Sequence, residues 1–357
     1  MSMSGSAKPV SVLVVDDSPI YRALLARLID SDARLRVVGI VDDGEQAVEA
    51  AERIRPDVIV MDIHLPVVNG FAATRRIMET CPTRIVMVTA TSIPHEVAES
   101  FEALESGALT VLGKPPGPAH ENFDAARQEL LNSLALMAEV PVVRRWPSTA
   151  FQCANPQVPA VSHASAISLV AIGASTGGPL ALQAFLSALQ PGFSAPIVIV
   201  QHISLGFTDG LVQWLCRVSG YPIRLAAHGH WLEPGQAYMA PEGAHMQVRG
   251  EGRIVLTDGA PVNGFRPAVA TLFDSAAKEY GHRAAGLLMT GMGYDGAKEL
   301  AAMRQAGALT MVQDRESAVI YGMPCEAVRL GAAMHILAPH DMAAILNRLV
   351  PMLGERR

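Results

Sequence analysis

The chain has 357 residues, half of them apolar and 17% charged, with a formal net charge of −6. That length suggests two or three domains, and the composition is that of a globular protein with sizeable cores, not a disordered chain. Residues 1–138 carry a net charge of −7, residues 139–165 a net of +1, and residues 166–357 are neutral, so no part is basic enough to expect nucleic-acid binding.

The start, Met1–Pro9, is small and polar and lacks a signal-peptide core, so a flexible N-terminus over 1–9 is expected. Apolar strands and amphipathic helices then alternate. The strands are predicted at Val10–Val15, Leu35–Val41, Asp57–Met61, Ile85–Thr89 and Leu109–Leu112, and the helices at Pro19–Ile29, Gly44–Ile54, Gly70–Met78, His95–Glu105 and Asn122–Ala138. Five βα units over residues 10–138 predict a doubly wound parallel sheet. Residues 139–165 lose the rhythm, with Pro141, Pro147, Pro156 and Pro159 among small polar residues, and read as a partly extended linker. From 166 to 357 the alternation resumes as a second doubly wound α/β domain with a mainly parallel sheet. Its strands are predicted at Ile167–Ala174, Pro196–Val200, Ala285–Leu288 and Leu309–Val312, and its helices at Pro179–Leu189, Thr208–Val218, Ala268–Lys278 and Ala297–Gln305. The Gly-richer stretch from Ile223 to Asp258 reads as a β excursion. No apolar run reaches the ~20 residues of a membrane span. Four cysteines (Cys81, Cys153, Cys216, Cys325) form no C-x-x-C pair, so reduced thiols, no structural zinc and a cytoplasmic location are expected.

Two sets of residues carry chemistry. Asp16 and Asp17 follow the first strand and Asp62 the third. In an open α/β sheet the ligand crevice lies at the strand C-termini. Carboxylates gathered there repel unless a hard cation such as Mg²⁺ joins them. Thr89 ends the fourth strand and Lys114 follows the fifth, where a hydroxyl and an ammonium could bind a phosphoryl group transferred to a carboxylate. A single Asp at such a place is as readily a helix cap; the set, one element per strand end, argues otherwise.

The second set starts at Ile167-Ser-Leu-Val-Ala-Ile-Gly-Ala-Ser175-Thr-Gly-Gly-Pro179, a buried strand, a tight turn and a helix start. A serine there sits near free helix N–H groups, which suits attack on a carbonyl, although a phosphate cradle or an inert turn fits the same pattern. His202 follows the strand Pro196–Val200, and Asp295 follows a strand and a Gly-rich turn. Each alone is as well explained as a structural histidine or an N-cap, but together with Ser175 they share one sheet edge. Gly173-Ala-Ser175-Thr-Gly177 also matches the G-x-S-x-G elbow of α/β-hydrolases. Those enzymes order the triad Ser, acid, His, whereas here His202 precedes Asp295, and His335 and His340 follow no comparable strand and turn.

The first set resembles the receiver domain of two-component response regulators, through Val-Val-Asp16-Asp17-Ser-Pro, Met61-Asp62-Ile-His-Leu-Pro66, Asn69-Gly70, Met87-Val-Thr89-Ala and Gly113-Lys114-Pro115. The resemblance implies that Asp62 accepts phosphate from a histidine kinase of the chemotaxis type. It implies Mg²⁺ held by Asp17 and Asp62, by Asp16 through water and by the backbone carbonyl of His64, with Thr89 and Lys114 contacting the phosphoryl group. Val111 stands where many receivers carry an aromatic switch residue.

The second half resembles the catalytic domain of the CheB family of chemotaxis protein-glutamate methylesterases. The matching pieces are Ile172-Gly-Ala-Ser175-Thr-Gly-Gly-Pro179, Val200-Gln-His202, Tyr238-Met-Ala-Pro241, Phe265-Arg-Pro267, Met289-Thr-Gly-Met-Gly-Tyr-Asp295-Gly296, Gln313-Asp314 and Tyr321-Gly-Met-Pro324. It implies a triad of Ser175, His202 and Asp295, with Thr176 and Met292 lining the site and the Met292 N–H in the oxyanion region. The reaction implied is demethylation of glutamate methyl esters on methyl-accepting chemotaxis receptors, with deamidation of receptor glutamines as a second activity. No cofactor is expected for the esterase step, no insertion into the membrane, and a monomer. Phosphorylation adds charge to an acidic pocket and is expected to weaken packing of the receiver over the Ser175 crevice. Ala268 and Ala270 replace a common serine and aspartate, and Glu242 a common proline. A receiver with a DNA-binding output, or with a catalytically dead docking module, is the competing expectation; the neutral second half speaks against the first and the intact triad residues against the second.

Overall fold

The computed structural model describes residues 8–89, 94–140, 166–250 and 252–354, with backbone alone at 94–96. Residues 1–7 of the expected flexible start and 141–165 of the expected linker, with Trp146, Phe151 and Cys153, lie outside the described residues. The chain divides into two compact units, one built on the first five strands and the other on the strands that follow.

In the first unit the strands are β1 (Val10–Val15), β2 (Leu35–Val41), β3 (Val58–Asp62), β4 (Arg84–Thr89) and β5 (Thr110–Gly113), ordered β2-β1-β3-β4-β5. Every neighbouring pair is parallel. Val12–Val15 of β1 and all of β3 are buried, as continuous apolar strands covered on both faces must be. Each Val or Ile so buried is worth about 1.5–3 kcal/mol. The helices along residues 1–140 are α1 (Pro19–Asp30), α2 (Gly44–Ile54), α3 (Gly70–Thr80), α4 (Pro94–Ser100), α5 (Glu102–Glu105) and α6 (Phe123–Met137). Asp43 caps α2, accepting from the N–H of Glu45 and Gln46, and Asn69 caps α3 through Ala72 N–H; such a cap is typically worth ~1 kcal/mol. Gly70 is needed where α3 meets the end of β3, because a Cβ there would lie 2.2 Å from the Asp62 carbonyl oxygen. The helix expected over His95–Glu105 is two, α4 and α5. Phe101 between them keeps helical dihedrals (φ −68, ψ −15), so the break is a lapse in hydrogen bonding that periodicity does not register.

The second unit holds a seven-stranded parallel sheet, ordered β14-β13-β12-β6-β7-β9-β8. Its members are β6 (Leu169–Ala174), β7 (Ile197–Gln201), β8 (Ile223–Leu225), β9 (Ala237–Met239), β12 (Ala284–Leu288), β13 (Leu309–Gln313) and β14 (His335–Leu337). An antiparallel hairpin, β10 (His245–Arg249) and β11 (Arg253–Thr257), stands outside the sheet. The helices are α7 (Gly178–Ser187), α8 (Thr208–Ser219), α9 (Val269–Tyr280), α10 (Ala297–Gln305), α11 (Met323–Arg329) and α12 (Pro339–Leu349). The expected β excursion is therefore only partly separate: β8 and β9 join the main sheet beside β7, and only β10 and β11 form their own ribbon. Strands of three residues are too short to show alternation, and their place is set by pairing with a neighbour. For the same reason β14 is not legible in the sequence.

The chain leaves β6 toward β7 on one side and returns to β12 on the other. The topological switch point, where the crevice of an open α/β sheet opens, thus lies between β6 and β12. Two glycines let α9 reach it: a Cβ on Gly173 or on Gly296 would come 2.3 Å from Val269 Cγ1. Val269 fills the space they leave, which brings the first turn of α9 against the residue that follows β12 and its turn, Asp295. Among the described residues no helix is long and apolar enough to cross a membrane.

Candidate active site and acidic pocket

Ser175 follows β6 and is 7% exposed. Its backbone is held on three sides. The Ser175 N–H donates to Thr290 O at 3.0 Å, Gly178 N–H donates to Ser175 O at 2.7 Å, and Gln201 Nε2 donates to the same oxygen at 2.7 Å. Gly177 adopts a left-handed conformation (φ +79), which lets the chain turn sharply from strand into α7. Among the described residues the Ser175 hydroxyl makes no hydrogen bond. Thr290 Oγ1 lies 2.9 Å from Thr176 O and accepts from Ile320 N–H at 2.9 Å, while Gln313 Oε1 accepts from Thr290 N–H at 2.7 Å. Buried bonds of this kind make the turn rigid.

His202 follows β7, and its N–H donates to Ala174 O at 2.9 Å, one residue before Ser175. Its Nε2 lies 3.0 Å from Asp295 Oδ2, with both side chains nearly inaccessible. Asp295 also accepts from Val269 N–H at 2.7 Å on Oδ2, and from Ala270 N–H at 3.2 Å and Asn263 Nδ2 at 2.9 Å on Oδ1. Burial alone would raise its pKa. The hydrogen bond and charge of His202, the Asn263 amide and the Val269 N–H outweigh it and hold the carboxyl below its usual range. An ionised Asp295 accepts, so Nε2 carries the imidazole proton. Nδ1 is buried and has no partner among the described residues. This ring orientation is the reverse of the serine-protease arrangement, in which Nδ1 faces the carboxylate.

Sequence reasoning gave no role to three residues here, although Gln201 and Phe265 stand in the matching motifs. Asn263 contacts Asp295. Phe265 stacks on the His202 ring with centroids 3.8 Å apart and planes 2° from parallel. Gln201 ties the Ser175 and His202 backbones together, donating to both carbonyls at 2.7 Å. The Asn-Gly pair at 263–264 signals a tight turn, but nothing in the sequence says where that turn lands. The departures from family pattern also acquire partners. Ala268 precedes α9 with no side-chain cap; Asp295 takes the first N–H groups of that helix instead, one of them from Ala270. Glu242 accepts from Gly206 N–H (2.7 Å), Thr208 N–H (2.9 Å) and Thr208 Oγ1 (2.7 Å), which caps α8 and pins the loop after His202.

Thr176 and Met292 are half-buried. Met292 adjoins Gly291, which lies directly against Ser175: a Cβ at Gly291 would fall 2.6 Å from Ser175 Cβ and 2.4 Å from Met323 Sδ. Met323 can move aside but Ser175 cannot without leaving its place. Gly291→Ala is expected to push Ser175 out of place, and a displacement near 1 Å typically costs about 100-fold in the rate of a reaction that depends on such a group. Steady-state kinetics beside a melting curve checks this, and an unchanged kcat would refute the close fit.

In the first unit the Asp16, Asp17 and Asp62 carboxylates each present an oxygen within 4.8 Å of the others. Asp16 and Asp62 are buried while Asp17 is exposed. The Lys114 ammonium lies 2.6 Å from Asp16 Oδ2 and 2.6 Å from Asp62 Oδ2, and 4.8 Å from the centre of the Tyr21 ring. Burial raises the Asp62 pKa, and the Asp16 charge adds to it, against the opposing pull of Lys114. Burial opposes charge on Lys114, but the two carboxylates more than compensate and hold its pKa above the ordinary value. Thr89 is buried, and its carbonyl accepts from Lys114 N–H at 2.8 Å. Three carboxylates with one exposed edge fit a small hard cation that keeps several waters. His64 is exposed, in the loop after β3. Val111 is a buried residue of β5 paired with Met87, so no aromatic side chain stands there to rotate.

The two units define a class: a receiver with a phosphoacceptor-type pocket, joined to an α/β hydrolase with a serine at its switch point. Comparison with known proteins narrows it. The family model of the response regulator receiver domain matches residues 12–120, and that of the CheB methylesterase matches residues 170–346. A protein-glutamate methylesterase/protein-glutamine glutaminase of Syntrophus aciditrophicus is 44% identical over 95% of this chain and 98% of its own. A Geobacter metallireducens protein of the same description is 46% identical over 95% of this chain and 99% of its own. The crystal structure of the Thermotoga maritima CheB methylesterase catalytic domain covers 52% of this chain and all of its own, with 33% identity and a TM-score of 0.50. The chain belongs to the CheB family of protein-glutamate methylesterases/protein-glutamine glutaminases.

Proposed function

We propose that Ser175, His202 and Asp295 are the nucleophile, base and orienting acid with which this chain acts as a protein-glutamate methylesterase and protein-glutamine glutaminase under control of its receiver. The observation that carries the reading is the His202 Nε2–Asp295 Oδ2 pair at 3.0 Å, which leaves the buried Nδ1 without a partner at the sheet edge that bears Ser175. His202 Nδ1 takes the Ser175 proton as Oγ bonds to the ester carbonyl carbon. The imidazolium is stabilised by Asp295. The tetrahedral oxyanion is met by the Met292 N–H, with Thr176 lining the other side, and a donor of this kind is typically worth ~3 kcal/mol. The carbon–oxygen bond to the methoxy group breaks, His202 returns the proton, and methanol leaves. Water, deprotonated by the same nitrogen, adds to the acyl carbon; the bond to Ser175 Oγ breaks as His202 returns the proton to Oγ, and the glutamate carboxylate leaves. With a glutamine amide the leaving group is ammonia and the remaining steps are unchanged.

The substrates are methyl-accepting chemotaxis receptors, met in the cytoplasm, and the enzyme works as a monomer. Its receiver spans 10–138, its linker 139–165 and its catalytic domain 166–357. Asp62 accepts a phosphoryl group from a histidine kinase of the chemotaxis type: an Asp62 oxygen bonds to phosphorus as the phosphorus–nitrogen bond of the phosphohistidine breaks. Mg²⁺, held by Asp17, Asp62, the His64 carbonyl and water on Asp16, would offset the negative charge of the phosphoryl oxygens. Lys114 and Thr89 contact those oxygens, and Lys114 exchanges its ion pair with Asp62 for one with phosphate.

Methanol release from methylated receptor tests the regulation. A small-molecule phosphodonor with Mg²⁺ is expected to raise the rate in wild type and to leave Asp62→Asn at its basal rate. Full activation of Asp62→Asn would remove Asp62 from the switch.

A further inference from the structure

Residues Val262–Phe265 form a two-residue hairpin. Val262 N–H donates to Phe265 O and Phe265 N–H donates to Val262 O, both at 3.0 Å. The two residues between, Asn263 (φ +53) and Gly264 (φ +86), are both left-handed, the conformation for which Asn-Gly is the preferred pair. This one turn touches both partners of Ser175. Asn263 Nδ2 donates to Asp295 Oδ1 at 2.9 Å, and the Phe265 ring lies flat on the His202 imidazole at 3.8 Å.

We infer that the Val262–Phe265 turn is the positioning element of the triad, with Asn263 fixing the Asp295 carboxylate and Phe265 the plane of the His202 ring. The inference rests on the assignment of Ser175, His202 and Asp295 given above. Asp295 divides its oxygens: Oδ1 is taken by Asn263 and Ala270, Oδ2 by Val269 and His202. Without the Asn263 amide, Oδ1 keeps only the 3.2 Å bond from Ala270, and the carboxylate can rotate about its terminal bond, where side-chain torsions are broad. Without the Phe265 face, the imidazole can turn away from the plane in which Nε2 meets Oδ2 and Nδ1 stays open. Neither Asn263 nor Phe265 needs to touch the reacting atoms; both act through the groups that do.

Asn263 can be separated from the turn that carries it. Glycine accepts φ above zero at no steric cost, so Asn263→Gly keeps the hairpin and deletes only the amide. The full-length Asn263→Gly enzyme is expected to show kcat for methanol release about tenfold lower, the scale of one hydrogen bond to a charged group, with KM unchanged and the melting temperature only modestly lowered. Asn263→Asp keeps the shape but sets a second carboxylate against Asp295 Oδ1, and should lose more. Phe265→Leu keeps Asn263 and the turn, and should lower kcat without moving KM; it decides the matter if the glycine variant does not fold. Wild-type kcat in Asn263→Gly or in Phe265→Leu would overturn the inference, as would a loss confined to KM. Ser175→Ala, run in parallel, separates the two readings: if it retains activity, the triad assignment has failed and not the turn.

Discussion

Ser175→Ala is expected to lower methanol release from methylated receptor by roughly 10³-fold or more and to leave the fold as stable as wild type. The two halves of this result have separate causes. The backbone of residue 175 is fixed by bonds from Gly178 and Gln201 and by its own bond to Thr290, none of which involves the hydroxyl. The hydroxyl makes no hydrogen bond among the described residues, so its removal strands no partner and the stability change should be small, about 1 kcal/mol or less. Activity falls because the oxygen that would attack the ester carbonyl is gone. Calorimetry beside the methanol assay reads both halves; near-normal hydrolysis by Ser175→Ala would end its assignment as nucleophile.

Asp295→Asn is expected to cost more than a weakened charge alone would. An asparagine amide can present its NH₂ to Nε2, which then accepts, and the imidazole proton moves to Nδ1. The lone pair that should take the Ser175 proton is lost, and in a serine-protease triad the equivalent change costs about 10⁴-fold in kcat. Stability changes as well, with a defined pH dependence. The folded-state pKa of Asp295 lies below its ordinary value of 3.8. A carboxyl shifted in that direction contributes stability that is fully present above the unfolded value and is lost as pH falls through the folded one. The melting temperature of wild type should therefore exceed that of Asp295→Asn at about pH 6, and the gap should close as pH falls below the unfolded value of ~3.9. Melting curves of both proteins across that range check the sign; a gap that is constant with pH would show that folding does not shift the Asp295 pKa, and a gap that moves in wild type's favour as pH falls would show that the carboxyl is protonated in the folded protein.

Much of this was legible before any coordinates. Fully buried strands covered on both faces read as continuous apolar runs, and β1, β2 and α2 begin and end where periodicity and caps put them. Where the pattern failed, the reason was length or geometry: β8, β9 and β14 are three residues each, and the break at Phe101 costs the sequence no apolar position. Ser175, His202 and Asp295 were each visible because each follows an apolar strand, or such a strand and its glycine turn. In an open parallel sheet those ends gather on one edge whatever the loops do.

The sequence by itself thus determined the two βα architectures, the acidic pocket and the identity of the residues at each strand end, since these depend on local hydrophobic pattern and chain order. Tertiary structure alone decided which imidazole nitrogen faces Asp295, that Asp295 also serves as the missing cap of α9, and that the turn at Asn263-Gly264 lands on Asp295 and His202. Those facts depend on contacts between segments some 30 to 90 residues apart, held by close approaches such as Val269 over Gly173 and Gly296. No periodicity encodes such contacts, because they follow from side-chain packing after the sheet has closed.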